Sequence, residues 1–251
     1  MMVTMNLAEL PWTKVRDALK HGRVVAILPC GAVEAHGPHL PLDTDVIISE
    51  GFARRAAAML EDKDIKAFVL PALAYAPAGY AAAFAGTIGV RPETQRALLL
   101  DIAETLKVQG FACLAIANSH FDPANVAMLR DGCAAIAERG LPIAFPDFTR
   151  RALAKELTAE FQSGACHAGQ FETSLVLADR PELVDERART ALADNPSSLT
   201  AAFAKGARTF HEAGGPEAYF GYPRAATAAE GEATFHIMAR ALADAILQVL
   251  G

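Results

Sequence analysis

Val24 to Leu28 reads VVAIL, and after Pro29 and Cys30 the stretch Gly31 to Asp45 reads GAVEAHGPHLPLDTD. The first stretch is continuously apolar, which predicts a strand covered on both faces rather than one alternating between core and water. The second gathers Glu34, His36, His39, Asp43 and Asp45 among glycines and prolines that break regular structure. Open α/β sheets bind ligands beyond the carboxyl ends of their strands, and this loop leaves such an end.

The same pattern repeats outward along the chain. Ala67 to Leu70, Ala112 to Ala117 and Pro142 to Phe145 read as further buried strands. Helices are predicted over Pro11 to His21, Val46 to Leu60, Pro92 to Gln109, Ala124 to Glu138, Thr149 to Glu160, Gly169 to Ala178 and Ala225 to Leu250. Alternating strands and helices imply a mostly parallel sheet between helical layers, so the expected fold is α/β: a single-domain, three-layer α/β/α sandwich over residues 1–251. There is no internal repeat. Two stretches depart from the alternation. Pro77 to Gly89 is rich in small residues and reads as a loop or hairpin near a site, while Asp194 to Pro223 is long, aromatic and irregular, as a site loop or a surface excursion would be.

The composition narrows the function classes. Of 251 residues 52% are hydrophobic and only 21% charged, too apolar for a disordered chain. The formal charge of −6 argues against a nucleic-acid or anionic-membrane partner, because phosphate binding draws on an excess of Lys and Arg. A bilayer span is not expected, since no run approaches about 20 uncharged apolar residues. Met1 to Leu10 has no basic region followed by an apolar one, and Cys30, Cys113, Cys133 and Cys166 lack framework spacing. Both features fit reduced thiols in a cytoplasmic protein. The expected partner is a small molecule.

Three clusters carry the candidate chemistry. In the first, Glu34 and His36 occupy alternate positions of an extended segment and share a side. With Asp45 they make a carboxylate and imidazole set suited to Zn, Mn or Ni, whereas Asp43 suits a helix cap better. The second is Asn118 to Asp122, NSHFD, at the end of another strand. It offers His120 and Asp122, although Asn and Asp are also ordinary turn residues. The third is CHAGQFETS, Cys166 to Ser174, entering a helix. There Glu172 is either a site carboxylate or a first-turn acid on the helix dipole, and His167 either a proton donor or a surface residue. Four of the seven histidines fall inside these clusters, which points to one metal-centred site.

Together the three segments resemble the creatininase family of metal-dependent amidohydrolases. Its E-x-H-G-P-H-L-P-L-x-T-D, N-G-H and H-A-G-x-x-E-T-S motifs are matched by Glu34 to Asp45, Asn118 to His120 and His167 to Ser174. Phe84 to Thr87 is similar to the family's F-P-G-T, and Gly231 to its C-terminal glycine. The resemblance implies a three-layer α/β/α fold, a hexamer and two divalent ions per chain, zinc or manganese first and iron or nickel next. Glu34, Asp45 and His120 would hold one ion. His36, Asp45 and either Asp122 or Glu172 would hold the other.

The departures surround the substrate more than the metals. Ser119 replaces a glycine, Phe121-Asp122-Pro123 replaces Tyr-Glu-Asn, and Cys166 stands where creatininase has Glu. They point away from creatinine itself and leave hydrolysis of a non-peptide or cyclic C–N amide, or of a short peptide-like bond, as the expected reaction. Metal-bound hydroxide would attack the carbonyl, His167 would protonate the departing nitrogen, and Glu172, where not a ligand, would orient the water or His167. Tyr80, Phe121 and Cys166 are the expected substrate contacts. Two rival readings are a Cys166/His167 thiol amidase and a non-catalytic, oligomeric metal-binding protein.

Overall fold

Strand β1 (Val24–Cys30) is buried along its whole length. Val25 and Ile27 enter the core on one side of the sheet, and Val24, Ala26 and Leu28 the core on the other. This is why its sequence is apolar without alternation. In the computed structural model, which describes residues 6–61 and 63–251, β1 lies between β2 (Lys66–Val69) and β3 (Cys113–Asn118), and β4 (Ile143–Ala144) flanks β3. The order is β2-β1-β3-β4 and every pairing is parallel. The N-terminal reading falls partly outside the described residues.

Helices cover both faces, giving the α/β/α layering. On one face Val15 and Leu19 of α1 (Trp12–His21) pack beside the core that holds Leu99 and Leu106 of α3 (Pro92–Gln109) and Met128 and Leu129 of α4 (Pro123–Glu138). On the other, Ile48 and Phe52 of α2 (Thr44–Glu61) meet Phe171 and Leu175 of α7 (Gln170–Asp179) and Phe235, Met238 and Leu242 of α10 (Ala228–Leu250). Helix α10 is long and apolar enough on average to cross a bilayer. Arg240 and Asp244 interrupt it, and its apolar stripe is part of the core. It can lie this close to α7 because residue 231 is glycine: a Cβ there would sit 1.9 Å from the carbonyl oxygen of Ser174.

Two expectations are corrected. The helix predicted over Thr149 to Glu160 is broken into α5 (Arg151–Ala154) and α6 (Ala159–Ser163). The Thr158 hydroxyl accepts the Phe161 N–H and starts a new helix where continuation was expected. The Asp194 to Pro223 stretch is more ordered than its composition suggested. After α8 (Glu186–Ala191), it holds α9 (Leu199–Ala204), capped by Ser198, and is closed by an antiparallel bridge between Asn195 and Gly221. Pro77 to Gly89 is irregular as expected. It is tied to the first cluster by Ala35 N–H donating to Thr87 Oγ1 at 3.0 Å and Ile88 N–H donating to the Val33 carbonyl at 2.9 Å.

Candidate metal centre and active-site cavity

Cys30 at the end of β1 is paired with Asn118 at the end of β3, so the loops carrying the first two clusters leave the sheet side by side. Asp45, in the first turn of α2, is brought over β1 by the absence of a side chain at residue 31. A Cβ on Gly31 would lie 2.7 Å from Val46 N and 2.9 Å from Asp45 Cβ. The Ser119 hydroxyl fixes the same turn by donating to the Asp45 carbonyl. The third cluster arrives from the start of α7, where Ala168 adopts a left-handed φ of 51°. Its N–H donates to Glu172 Oε2 at 2.6 Å.

Three imidazoles meet there with one hydrogen-bonding plan. His36 Nδ1 lies 3.1 Å from the Glu34 carbonyl, His120 Nε2 2.7 Å from the Pro77 carbonyl, and His167 Nε2 2.9 Å from the Ala35 carbonyl. A carbonyl only accepts, so in each ring that nitrogen carries the proton, and a neutral ring turns a lone pair inward. The inward nitrogens face carboxylates. His36 Nε2 is 3.3 Å from Asp45 Oδ1 and 3.5 Å from Glu172 Oε2. His120 Nδ1 is 2.9 Å from Asp45 Oδ2 and 3.3 Å from Glu34 Oε1. His167 Nδ1 stands farther back, 3.9 Å from Glu34 Oε1 and 4.0 Å from Glu172 Oε2. Buried lone pairs opposite anionic oxygens repel unless a cation lies between them. Consistently, His36 Nε2 and Asp45 Oδ2 are buried without a hydrogen-bond partner among the described residues. Outer imidazole N–H groups held by backbone carbonyls are what metal-ligating histidines use to fix their tautomer.

Ligand atoms fall within 4.8 Å of one another in three groups: Glu34, Asp45 and His120; His36, Asp45 and Glu172; and Glu34, His36 and His167. The first two share Asp45. Protons take a cation's place in the metal-free chain. Burial alone would push the His36 imidazole down, but the Asp45 and Glu172 carboxylates outweigh it and raise it to about 10. Glu34 and Asp45 hold His120 well above the usual imidazole range in the same way, against its burial. Asp45 is lowered despite burial, because His36 and His120 flank it. Burial raises Glu172 to about 8 although His36 opposes it. His167 behaves differently. Burial and the neighbouring His36 push it down to about 4, so it is neutral at pH 7.

Not every candidate joins the cluster. Asp122, one of the two candidates for the ligand beside His36 and Asp45, belongs to none of the three groups. Its Oδ1 instead accepts the Ala124 N–H at 2.7 Å and caps α4, with Pro123 opening the helix. Glu172 takes the position beside His36 and Asp45. His39 is buried, but its Nε2 pairs with Thr173 Oγ1 at 2.9 Å, outside the three groups. Asp43 is exposed. Cys166 is adjacent to His167 without being served by it, since the His167 ring nitrogens go to Ala35 and toward the carboxylates. Burial, and after it Glu172 and Glu160, push the Cys166 thiol up, so nothing there makes a thiolate.

The cluster opens into a cavity of about 610 Å³. Tyr80, Phe121, Asp122 and Cys166 all line it. So do Phe203 and Phe210 from the Asp194 to Pro223 segment, which therefore serves its own chain's site. The Phe210 ring centre is 4.3 Å from that of His167. Sequence reasoning missed the Ala35 and Pro77 carbonyls, because backbone acceptors carry no residue-type signal. It also missed Glu160. This buried carboxylate accepts the N–H groups of Gln170, Phe171 and Tyr222 and joins the start of α7 to the end of that segment. A lone Glu inside a predicted helix gave no hint of it.

The sequence pattern of the creatininase family, described as creatinine amidohydrolase, matches residues 8–246. The chain belongs to the creatininase family. Among its relatives, the mycofactocin precursor peptide peptidase of Mycobacterium tuberculosis strain H37Rv is 31% identical over 221 residues, covering 84% of this chain and 80% of that protein. The creatinine amidohydrolase of Pseudomonas putida is 29% identical over 201 residues, 74% of this chain and 75% of that one. The crystal structure of a creatinine amidohydrolase superposes with a TM-score of 0.76 at 25% identity, covering 98% of each chain. Creatininase membership makes this chain a metal-dependent amidohydrolase and accounts for the folded-together motifs.

Proposed function

We propose that the chain hydrolyses a C–N amide bond, cyclic or peptide-like, in a small molecule, using two divalent ions that share Asp45. The observation that carries this reading is the common orientation of three imidazoles, each donating outward to a backbone carbonyl and presenting its other nitrogen to buried carboxylates. Glu34, Asp45 and His120 would hold one ion; His36, Asp45 and Glu172 would hold the other. Such ions supply an activated water at neutral pH and polarise a carbonyl. Nitrogen, carboxylate and no thiolate ligands suit zinc or manganese, with iron or nickel as further candidates.

The chain's own residues do the rest. His167 is neutral, with its proton fixed on Nε2 by Ala35, so Nδ1 is free to take a proton and return it to the departing nitrogen. The Ala168 N–H holds Glu172 Oε2 in place. Tyr80, Phe121 and Phe210 wall the space with apolar surface. Relatives named for a peptide and for creatinine support the amide bond as the common target. The four free cysteines suit a reducing cytoplasm. Exposed Trp12, Leu98 and Val108 offer apolar surface for a homo-oligomer, a hexamer by resemblance, which light scattering would count.

Protein stripped with a chelator should lose amide hydrolysis and regain it with zinc or manganese. Turnover that persists in chelator overturns the reading. Two ions bound with no amide cleaved would favour the non-catalytic metal-binding alternative.

A further inference from the structure

The cavity is far larger than a single small ring needs. At about 610 Å³ it falls within the range of about 300–1,000 Å³ that takes ligands of drug or short-peptide size. Its walls include two aromatic pairs: Phe121 and Phe161 at 5.3 Å between ring centres, and Tyr80 and Phe203 at 4.0 Å. Away from the histidines of the cluster, the cationic side chains among its described lining residues are Arg130 and Arg151. Arg130 is committed, because its Nε and Nη2 donate to Asp147 Oδ2 at 2.8 and 2.6 Å. Arg151, at the start of α5, is exposed, and among the described residues no carboxylate lies within ion-pairing distance of it. Three carboxylates of the cluster, Glu34, Asp45 and Glu172, line the same cavity and Asp122 is a fourth on its wall, so one space holds an acidic, cation-binding group, aromatic walls and, among the described residues, an arginine without an ion pair.

We propose that the substrate is a linear, peptide-like amide with a bulky apolar side chain and a carboxylate at the end remote from the scissile bond, and that Arg151 binds this carboxylate and sets specificity. This rests on the amidohydrolase reading above and deepens it. A guanidinium matches a carboxylate with two parallel N–H donors. The aromatic walls reward an apolar side chain through area removed from water. A neutral lactam of creatinine's size would leave most of this surface and Arg151 unused.

The test is calorimetric binding of N-acetyl-alanyl-phenylalanine and of its C-terminal carboxamide to the metal-loaded protein. The pair differ only in the terminal charge. The carboxylate should bind about tenfold more tightly, equivalent to about 1.4 kcal/mol. In Arg151→Met that advantage should vanish, in Arg151→Lys it should be partly kept, and in Arg151→Glu the carboxamide should bind better. Equal binding of the two peptides to the wild type overturns the proposal. An advantage that survives Arg151→Met also overturns it, since the ions or Arg130 then hold the carboxylate. A thermal melt of each variant separates lost recognition from lost folding, and Arg151→Lys keeps the comparison available where Arg151→Met fails to fold. Hydrolysis is measured alongside: no cleavage of any amide counts against the hydrolase reading, whereas binding without charge preference sinks only the role of Arg151.

Discussion

Asp45 Oδ2 lies 2.9 Å from His120 Nδ1, joining the first turn of α2 to the end of β3 at the point where both candidate ligand groups meet. Asp45 is the only residue common to those two groups. Asp45→Asn keeps the shape and removes the shared charge. It should weaken both ions by more than about a hundredfold, beyond the 10- to 100-fold typical of an outer-shell change. Metal content after dialysis checks this. Loss of one ion alone would mean that Asp45 does not bridge.

Glu160 tests whether the frame behind the cluster matters. Burial raises its carboxyl from 4.5 to about 7, against three backbone N–H donors that favour the charged form. The folded state therefore binds this proton more tightly than the unfolded chain does. The associated stability is complete below pH 4.5 and is lost as pH rises through 7, a change of the order of 3 kcal/mol. Glu160→Gln removes that titration and puts an amide N–H₂ among N–H donors. Denaturation of metal-free protein should show the variant less stable than wild type at pH 5, with the gap narrowing by pH 8. A gap that does not change with pH would refute the assignment.

Gly231→Ala is expected to be among the most damaging single-methyl additions in the chain. The new Cβ would fall 1.9 Å from the Ser174 carbonyl, so α10 would have to move off α7, the helix that carries Glu172. A cost of about 3 kcal/mol or more follows from overpacking against backbone. A melting temperature within a degree of wild type would contradict it.

Cys166→Ser separates thiol chemistry from metal chemistry. With the thiol pushed up by burial and His167 engaged elsewhere, hydrolysis of any amide substrate should stay within about tenfold of wild type, 1.4 kcal/mol. A nucleophilic cysteine would lose about 10⁴-fold or more.

The sequence by itself determined the layered fold and the three polar segments. Continuous apolar strands, caps and glycine breaks are local signals, and VVAIL can be read as doubly covered without knowing what covers it. It also placed Glu34, His36, Asp45, His120, His167 and Glu172 among the candidates, because their types and clustering are local too. Only the tertiary structure placed Glu172, and not Asp122, beside His36 and Asp45. Asp122, next to Pro123, is drawn into capping α4, while Glu172 reaches His36 from a helix far along the chain. It alone showed that backbone carbonyls of Ala35 and Pro77 set the imidazole tautomers, that Glu160 ties α7 to the distant Tyr222 segment, and that Arg151, at an aromatic cavity, has no ion-pair partner among the described residues. These facts depend on contacts between segments remote in sequence, and on main-chain atoms every residue has, so no residue pattern could announce them.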